Sequence, residues 1–226
     1  MRSRGTTDNF PILIEELANA VTHGIGAVLS TGGLVLLIVL AVEVGDFSSL
    51  LAATVYGASL VLVFLASAVY HGLRHGKAKR VFLLLDHCAI FLLIAGTYTP
   101  IALLALPADP GRPLLLAIWG LAVLGVILKV AAFRTAGLDR WKGVSAVLYL
   151  AMGWFGLLWA GGSLLESLHP SAFGWLLAGG IVYSIGVLFY FWERLPFGHA
   201  VWHLFVLIAS ACHFAAVFYY VLPPGA

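Results

Sequence analysis

Seven long apolar stretches occupy almost the whole of this 226-residue chain. As α-helices rising about 1.5 Å per residue, they are each long enough to cross a hydrocarbon core about 30 Å thick. The sequence therefore predicts an all-α polytopic membrane protein, a bundle of seven transmembrane helices that forms a single domain over residues 1–226. The stretches cover about residues 19–42, 49–72, 81–105, 113–133, 142–162, 171–192 and 199–222.

The composition excludes an ordinary soluble domain. Hydrophobic residues make up 62% of the chain and charged residues 10%, and the mean hydropathy is +1.04. A soluble domain is typically about half apolar and about a quarter charged. The seven stretches leave no room for such a domain, so membrane lipids are the expected partners. Nothing in the sequence indicates an oligomeric state.

The twelve lysine and arginine residues divide unequally between the two ends of the predicted helices. Eleven lie on the side of the N-terminus, whereas only Arg112 lies on the other side, where the loops carry acidic residues instead. Because basic residues are enriched in cytoplasmic loops, the N-terminus is predicted to be cytoplasmic and the C-terminus extracytoplasmic. As topological anchors, these residues account for the small net charge of +2 and give no reason to expect a nucleic-acid partner. The eleven are Arg2, Arg4, Arg74, Lys77, Lys79, Arg80, Lys129, Arg134, Arg140, Lys142 and Arg194.

Five polar residues lie at a similar depth near the cytoplasmic ends of three predicted helices. Ser67 and His71 are four residues apart in the second helix, a spacing that puts both on one helix face, about 6 Å apart along the axis. His199 and His203 have the same spacing in the seventh helix, and Asp86 lies about 9 Å into the third. Because an ionisable side chain inside a membrane is costly, such residues usually mark a functional site.

The three histidines of this group, His71, His199 and His203, are the predicted ligands of a zinc ion. Imidazole is a common zinc ligand, and two imidazoles four residues apart on a helix can hold one ion. Three protein nitrogens leave a fourth position for water, which is the layout of a catalytic zinc site. Asp86 is then either a further ligand or the base that takes a proton from the water, and Ser67 orients the water or donates to a developing oxyanion. The alternatives are histidines hydrogen bonded across helices, a structural partner role for Asp86 and simple packing for Ser67.

Four segments of the sequence resemble the hemolysin III family, the bacterial branch of the progestin and adipoQ receptor (PAQR) superfamily. They read EELANAVTHGIGA (residues 15–27), SAVYH (67–71), LLLDHCAIFLLIAGTYTP (83–100) and GHAVWHLFVLIASACHF (198–214). The resemblance covers essentially the whole chain and implies seven helices around a zinc ion near the cytoplasmic face. It also implies ligation by the three histidines, a water near Asp86, and a family serine at Ser67.

The resemblance implies a class of chemistry as well. Members of the superfamily are similar to alkaline ceramidases in this constellation, which implies metal-dependent hydrolysis of a lipid amide. The bacterial branch is named for haemolytic activity and is linked to membrane lipid homeostasis. A large N-terminal cytoplasmic domain like that of the animal receptors is not expected here, so hormone binding is not carried over.

Further polar residues lie near the cytoplasmic end of the first helix. Glu16, Asn19, Thr22 and His23 match a family motif, and Asn19 and His23 share a face by the same four-residue spacing. Because three histidines suffice for the ion, these residues are interpreted as partners that orient the ligands or as contacts between helices. His87 is expected to pack, and His213 lies about 15 Å beyond His203 along the seventh helix, too far for the same ion.

Three functions are compatible with these residues. The first is a zinc-dependent hydrolase of lipid amides or esters, in which zinc activates water and Asp86 accepts its proton. The second is a membrane-state sensor or receptor in which a structural zinc joins the second and seventh helices. The third is a cytolytic factor, which ranks last because nothing in the chain is secreted or amphipathic enough to attack another cell. A retinal protein is excluded, since the seventh helix contains no lysine for a Schiff base.

Overall fold

Seven long α-helices build the protein. The computed structural model describes residues 10–135 and 137–223, and within this part there is no β-strand. The predicted all-α fold is therefore confirmed. The helices are α1 (Phe10–Val44), α2 (Phe47–Gly72), α3 (Lys77–Pro100), α4 (Ala108–Thr135), α5 (Lys142–Ser167), α6 (Pro170–Phe191) and α7 (Gly198–Ala216). Five-residue π-helical turns, Ile101–Ala105 and Val217–Val221, extend α3 and α7, and a short 3-10 turn, Asp139–Trp141, precedes α5.

All seven helices are long and apolar enough to cross a membrane. Their candidate spans contain 22 to 33 residues each, and together they match the seven stretches predicted from the sequence. The lipid-facing surface is apolar, as Val28, 74% exposed on α1, and Leu158, 84% exposed on α5, illustrate. A surface of this kind is stable in lipid and would be unusual in water. The chain is a seven-helix membrane protein.

The first helix begins earlier than the apolar stretch suggests. The sequence predicts a span from about residue 19, whereas α1 begins at Phe10. Its first turns carry Glu15 and Glu16, which lower the local hydropathy but have partners on other helices. Glu15 accepts a hydrogen bond from the backbone N–H of Phe197, and Glu16 accepts one from Lys79. These tertiary contacts allow the polar turns to continue the helix.

The connection between α1 and α2 is a two-residue turn, Gly45 and Asp46. Gly45 has a φ of +82°, a left-handed conformation that glycine adopts without strain. Asp46 caps α2 by accepting hydrogen bonds from the Ser49 hydroxyl (2.6 Å) and backbone N–H (2.9 Å). These bonds from Ser49 lower the pKa of the Asp46 carboxyl. The cap fixes where α2 begins.

The helices are arranged so that the two ends of the chain meet. α1 packs on α2 and on α7, α2 packs on α3, and α6 packs on α7, whereas α4 packs mainly on α3. Close approach of α1 and α2 depends on Gly57, because a Cβ there would lie 2.5 Å from Cδ1 of Leu34. Since α1 contacts both α2 and α7, residues near the start of α1, the end of α2 and the start of α7 come together.

Lys129 differs from its predicted role as a topological anchor. It lies inside the bundle, only 3% exposed, six residues before the end of α4 at Thr135. The helix therefore carries this side chain into the packed interior, where it cannot contact the membrane surface. Of the other ten basic residues on that side, Arg2 and Arg4 lie outside the described residues, and the remaining eight lie at helix ends or in connecting segments.

The unequal distribution of the remaining basic residues leads to a prediction of membrane topology. A reporter fused after Ala226 should be extracytoplasmic, and one inserted beside Lys77 should be cytoplasmic, because basic segments are retained on the cytoplasmic side. A pair of enzymatic reporters active on opposite sides of the membrane measures this, with an insertion after Gly45 as an extracytoplasmic control. If the reporters at Ala226 and Lys77 lay on the same side, an odd number of spans would be ruled out.

Candidate metal centre

Three histidine rings meet where α2 and α7 lie against each other. His71 is in the last turn of α2, and His199 and His203 are in the first two turns of α7. The ring centroids of His71 lie 5.1 Å from those of both other histidines, and His199 and His203 are 4.6 Å apart. The i, i+4 spacing on α7 therefore presents two imidazoles to the one from α2, as the sequence predicts.

The three histidines could hold one metal ion. One ring nitrogen from each lies within 4.8 Å of the corresponding nitrogens of the other two. His203 is 2% exposed and His71 6%, while His199 is half-buried. Three neutral imidazoles this close together and away from bulk water form the donor set that transition-metal ions such as zinc prefer.

The hydrogen bonds of His71 leave its second ring nitrogen available. Its Nδ1–H donates to Oε2 of Glu16 (3.3 Å), and the same oxygen accepts a hydrogen bond from Lys79 (2.8 Å). Nε2 of His71 is buried and has no hydrogen-bond partner among the described residues. With the proton on Nδ1, Nε2 carries the lone pair that a metal ligand needs. Buried polar atoms are normally satisfied, so this nitrogen marks the position of a missing partner.

His203 is oriented by α1. Its Nδ1–H donates to the backbone carbonyl of Asn19 (3.2 Å) and lies 3.2 Å from the Thr22 hydroxyl, which leaves Nε2 as the free ligand atom. The ring of His23 stacks on that of His203, with centroids 3.5 Å apart and planes inclined by 13°. Glu16, Asn19 and His23, which the sequence singles out on the first helix, all therefore surround the histidine cluster.

Asp86 and Ser67 lie beside the cluster. Asp86 on α3 lines the same cavity as Ser67 and His71 on α2, and the Ser67 hydroxyl has no hydrogen-bond partner among the described residues. Ser67 is 1% exposed, one turn before His71, whereas Asp86 is half-buried. Asp86 is not among the residues that converge on the metal position within the described chain, although it lines the same cavity.

A cavity of about 530 Å³ begins at these residues and continues through the bundle. Its lining on α3 runs from Leu83 to Tyr98, about 22 Å along the helix axis. The cluster end is polar, whereas the far end is lined by apolar side chains such as Leu164, Leu168 and Phe173. Within the described residues α4 contributes nothing to the lining. The cavity is thus a long apolar space with one polar end.

Two other histidines of the bundle have different roles. His87 interacts with the backbone carbonyl of Leu83 through Nδ1 (2.8 Å), and His213 donates from Nε2 to the carbonyl of Leu176 (3.1 Å). Neither belongs to the group of converging ligand atoms. These contacts agree with the packing role expected for His87 and with the distance expected for His213.

Thr22, which belongs to the same family-like motif of the first helix as Asn19 and His23, contacts His203 through its hydroxyl, which also bonds to the carbonyl of Ala18. Sequence reasoning missed that Lys129 is buried inside the bundle. A lone lysine within the otherwise uncharged run from residue 113 to 133 was the available indication, since lysine is rarely tolerated inside a span without a partner.

Comparison with known proteins identifies the family. The family described as Haemolysin-III related matches residues 12–214. Hemolysin-3 of Bacillus cereus is 48% identical over 209 residues, which cover 92% of this chain and 93% of that protein. The Hemolysin-3 homolog of Bacillus subtilis (strain 168) is 42% identical over 206 residues, 91% of this chain and 94% of its own.

The similarity extends to animals. Human monocyte to macrophage differentiation factor is 30% identical over 217 residues, covering 93% of this chain and 86% of that protein. A match along nearly all of both chains agrees with the seven-helix bundle and with the wider PAQR resemblance. The chain belongs to the hemolysin III family of multi-pass membrane proteins. Its location is the plasma membrane, the inner membrane of a bacterial cell that has two.

Proposed function

We propose that this protein is a zinc-dependent hydrolase of membrane lipids that contain an amide or ester bond, and that it serves membrane lipid homeostasis. One observation carries the proposal: a set of metal-ligating nitrogens and a carboxyl group lie together at the polar end of a long apolar cavity. A hydrolase needs its water-activating groups beside the bond that it cleaves. A lipid whose chain occupied the apolar part would present its polar linkage at that end.

Zinc fits the donor set better than harder metals do. Calcium and magnesium prefer oxygen ligands, whereas zinc binds neutral imidazole nitrogens and is commonly held by three histidines in catalytic sites. Glu16 on Nδ1 of His71 and the Asn19 carbonyl on Nδ1 of His203 form the outer hydrogen bonds that zinc-binding histidines usually make. His71, His199 and His203 would hold the ion. Bound there, zinc would polarise a carbonyl oxygen and make water more acidic.

Asp86 and Ser67 have distinct tasks in this proposal. The ionised Asp86 carboxylate acts as an acceptor and not as a donor. In this proposal it takes a proton from water and later returns that proton to the leaving group. Ser67, whose buried hydroxyl has no partner among the described residues, orients the reacting water or donates to the oxygen on which negative charge develops. Glu16 and Asn19 hold the histidine rings in the tautomer that presents Nε2.

The cavity suits one acyl chain. An acyl chain in one leaflet extends through about half of a ~30 Å hydrocarbon core. The cavity lining on α3 runs for about 22 Å, which is longer than that and therefore long enough to hold such a chain. Its apolar walls would bind the chain without specific contacts and exclude water from the far end. Selectivity for the linkage would then lie in the polar residues at the cluster end.

A membrane-state sensor with a structural zinc is the second candidate. The observation that favours it is that the histidines join α2 to α7 and that His203 is hydrogen bonded to α1. An ion there would fix the relative positions of three helices, and a lipid in the cavity would change them without being cleaved. A cytolytic role is supported only by the names of the Bacillus relatives.

Reconstitution separates the two candidates. The purified chain, loaded with zinc and placed in liposomes, is offered a panel of lipids with amide and ester linkages, and mass spectrometry measures released fatty acid. We expect release from at least one class, its loss after chelation and its return with zinc. A zinc-loaded protein that binds these lipids but cleaves none would instead favour the sensor. Lipidomic comparison of cells containing the native chain or His199→Ala extends the test to natural lipids.

A further inference from the structure

Two polar side chains on α1 line the polar end of the cavity without a hydrogen-bond partner. Both ring nitrogens of His23 and the Oδ1 atom of Asn19 are buried and make no hydrogen bond with the described residues. His23 is 4% exposed and Asn19 is 5% exposed. Buried polar atoms are nearly always paired in folded proteins, because an unpaired one is costly. These three atoms therefore indicate a ligand that enters the cavity.

The two side chains are neighbours that do not satisfy each other. Their four-residue spacing puts them on one face of α1, about 6 Å apart along the axis. The His23 ring is held by two other rings: His203 stacks on it, and Phe64 on α2 lies at 87° to it, with the centroids 5.1 Å apart. These contacts fix the plane of the ring and leave both nitrogens unpaired. An orientation that is set before a ligand arrives lowers the entropic cost of binding.

Neither side chain is needed to assemble the metal set. The nitrogens that converge belong to His71, His199 and His203. Asn19 orients His203 through its backbone carbonyl, which any residue at this position would supply. The side-chain amide of Asn19 and the nitrogens of His23 are thus available for a different partner.

The chemistry of these groups indicates which ligand they would bind. A neutral imidazole has one N–H donor and one acceptor nitrogen, and an amide oxygen is an acceptor. Such groups pair well with a hydroxyl or an amide, each of which donates and accepts. Phosphate is usually held by arginine or lysine. The described cavity lining contains no arginine and one lysine, Lys142, whose Nζ already lies 3.0 Å from the Glu193 carboxylate.

We propose that Asn19 and His23 form a head-group subsite, which binds a hydroxyl or amide group of an uncharged lipid beside the metal position. The proposal deepens the proposed function, on which it rests for the presence of a lipid in the cavity, and it names the class of that lipid. A lipid without such a group would leave the polar atoms of the subsite unpaired. Sites of this kind discriminate strongly against ligands that lack the hydrogen-bonding group.

A pair of ethers that cannot be hydrolysed tests the subsite. The probe 1-O-hexadecylglycerol carries free hydroxyl groups, whereas its dimethyl ether has the same chain without a donor. Binding to the zinc-loaded protein in detergent is followed by the fluorescence of Trp154 and Trp202, which line the cavity. The native protein should prefer the free glycerol ether, and this preference, the ratio of the two Kd values, should fall by roughly tenfold in Asn19→Leu and in His23→Phe. Each ether partitions into detergent equally for every variant, so a comparison of ratios removes that effect.

The two substitutions keep the contacts that the histidine cluster uses. Leucine retains the backbone carbonyl of position 19, and phenylalanine retains a ring that can stack on His203. Both variants should therefore carry about one zinc. Their Tm without ligand should equal or exceed the native value, because an apolar group replaces an unpaired polar one. The control is Ser30→Ala, which removes a buried α1 hydroxyl that bonds to the Ala27 carbonyl and should leave the ratio unchanged.

The remaining outcomes each decide the proposal. An unchanged ratio in either variant, or loss of zinc from either, would overturn it. If neither variant folds and Asn19→Ala and His23→Leu also fail, the two residues have a structural role and the subsite is rejected. Tighter native binding of 1-O-hexadecylglycerol 3-phosphate than of the free glycerol ether would overturn the assignment to an uncharged lipid. Because ether binding involves no cleavage, a native protein that shows the preference but hydrolyses no lipid would reject the proposed hydrolase and support the subsite.

Discussion

Replacing His199 with alanine should abolish zinc binding. The native chain is expected to carry about one zinc ion, whereas the variant, with two protein nitrogens in place of three, should be purified with almost none. His71→Ala and His203→Ala should behave in the same way because the three rings form one set. Elemental analysis of protein purified in detergent without added chelator measures the ratio of zinc to chain.

Two further variants sharpen this prediction. Glu16→Gln retains all three nitrogens but weakens the acceptor for His71, so zinc affinity should fall by about 10- to 100-fold while binding persists. His213→Ala is a matched control on the same helix, because His213 is a histidine of α7 outside the converging set. It should retain about one zinc. Full zinc content in His199→Ala would show that the ion binds elsewhere in the chain, and a native chain without zinc would favour histidines hydrogen bonded between helices.

Asp86→Asn should separate metal binding from chemistry. The amide is almost the same size as the carboxyl but cannot accept a proton from water, so hydrolysis should fall by ~10²-fold or more while zinc stays near one per chain. Fatty-acid release in liposomes and zinc content are measured on the same preparation. Asp109→Asn, at an exposed position in the first turn of α4, makes the same chemical change far from the cluster and should leave both quantities unchanged.

The alternatives for Asp86 give different results in this experiment. Loss of zinc together with activity would identify Asp86 as a direct ligand. Retention of both zinc and activity would contradict its role as a base and would leave it a merely structural carboxylate. Ser67→Ala adds a finer comparison: a packing serine would leave hydrolysis almost unchanged, whereas a serine that orients the reacting groups would not.

The seven helices were predictable because each one must be apolar over about 20 residues to lie in lipid. Hydropathy could not predict where α1 begins, since Glu15 and Glu16 are tolerated there only through contacts with residues far along the chain. It also could not distinguish Lys129, which is buried, from the lysines at helix ends. Both differences arise from tertiary packing, which a window of neighbouring residues does not contain.

The histidine cluster was predictable for a different reason. The four-residue spacing of His199 and His203, and the similar depth of His71, follow from helix geometry alone. The hydrogen bonds that select the nitrogen of each ring were not accessible in the same way. The Nδ1–H of His203 donates its hydrogen bond to the backbone carbonyl of Asn19. Every residue has such a carbonyl, so the sequence gives no sign of this bond.

The contact between α1 and α7 has a consequence for biosynthesis. The hydrogen bond from His203 to Asn19 connects residues 184 positions apart, so one partner is among the first to be synthesised and the other among the last. A nascent chain emerges N-terminal end first, and His71 must wait through five further helices before its companions enter the membrane. A metal ion held by the three histidines would therefore be bound only at the end of translation. The bound ion would then be present only in a chain whose seven helices have all been inserted and packed, and absent from a chain still being inserted.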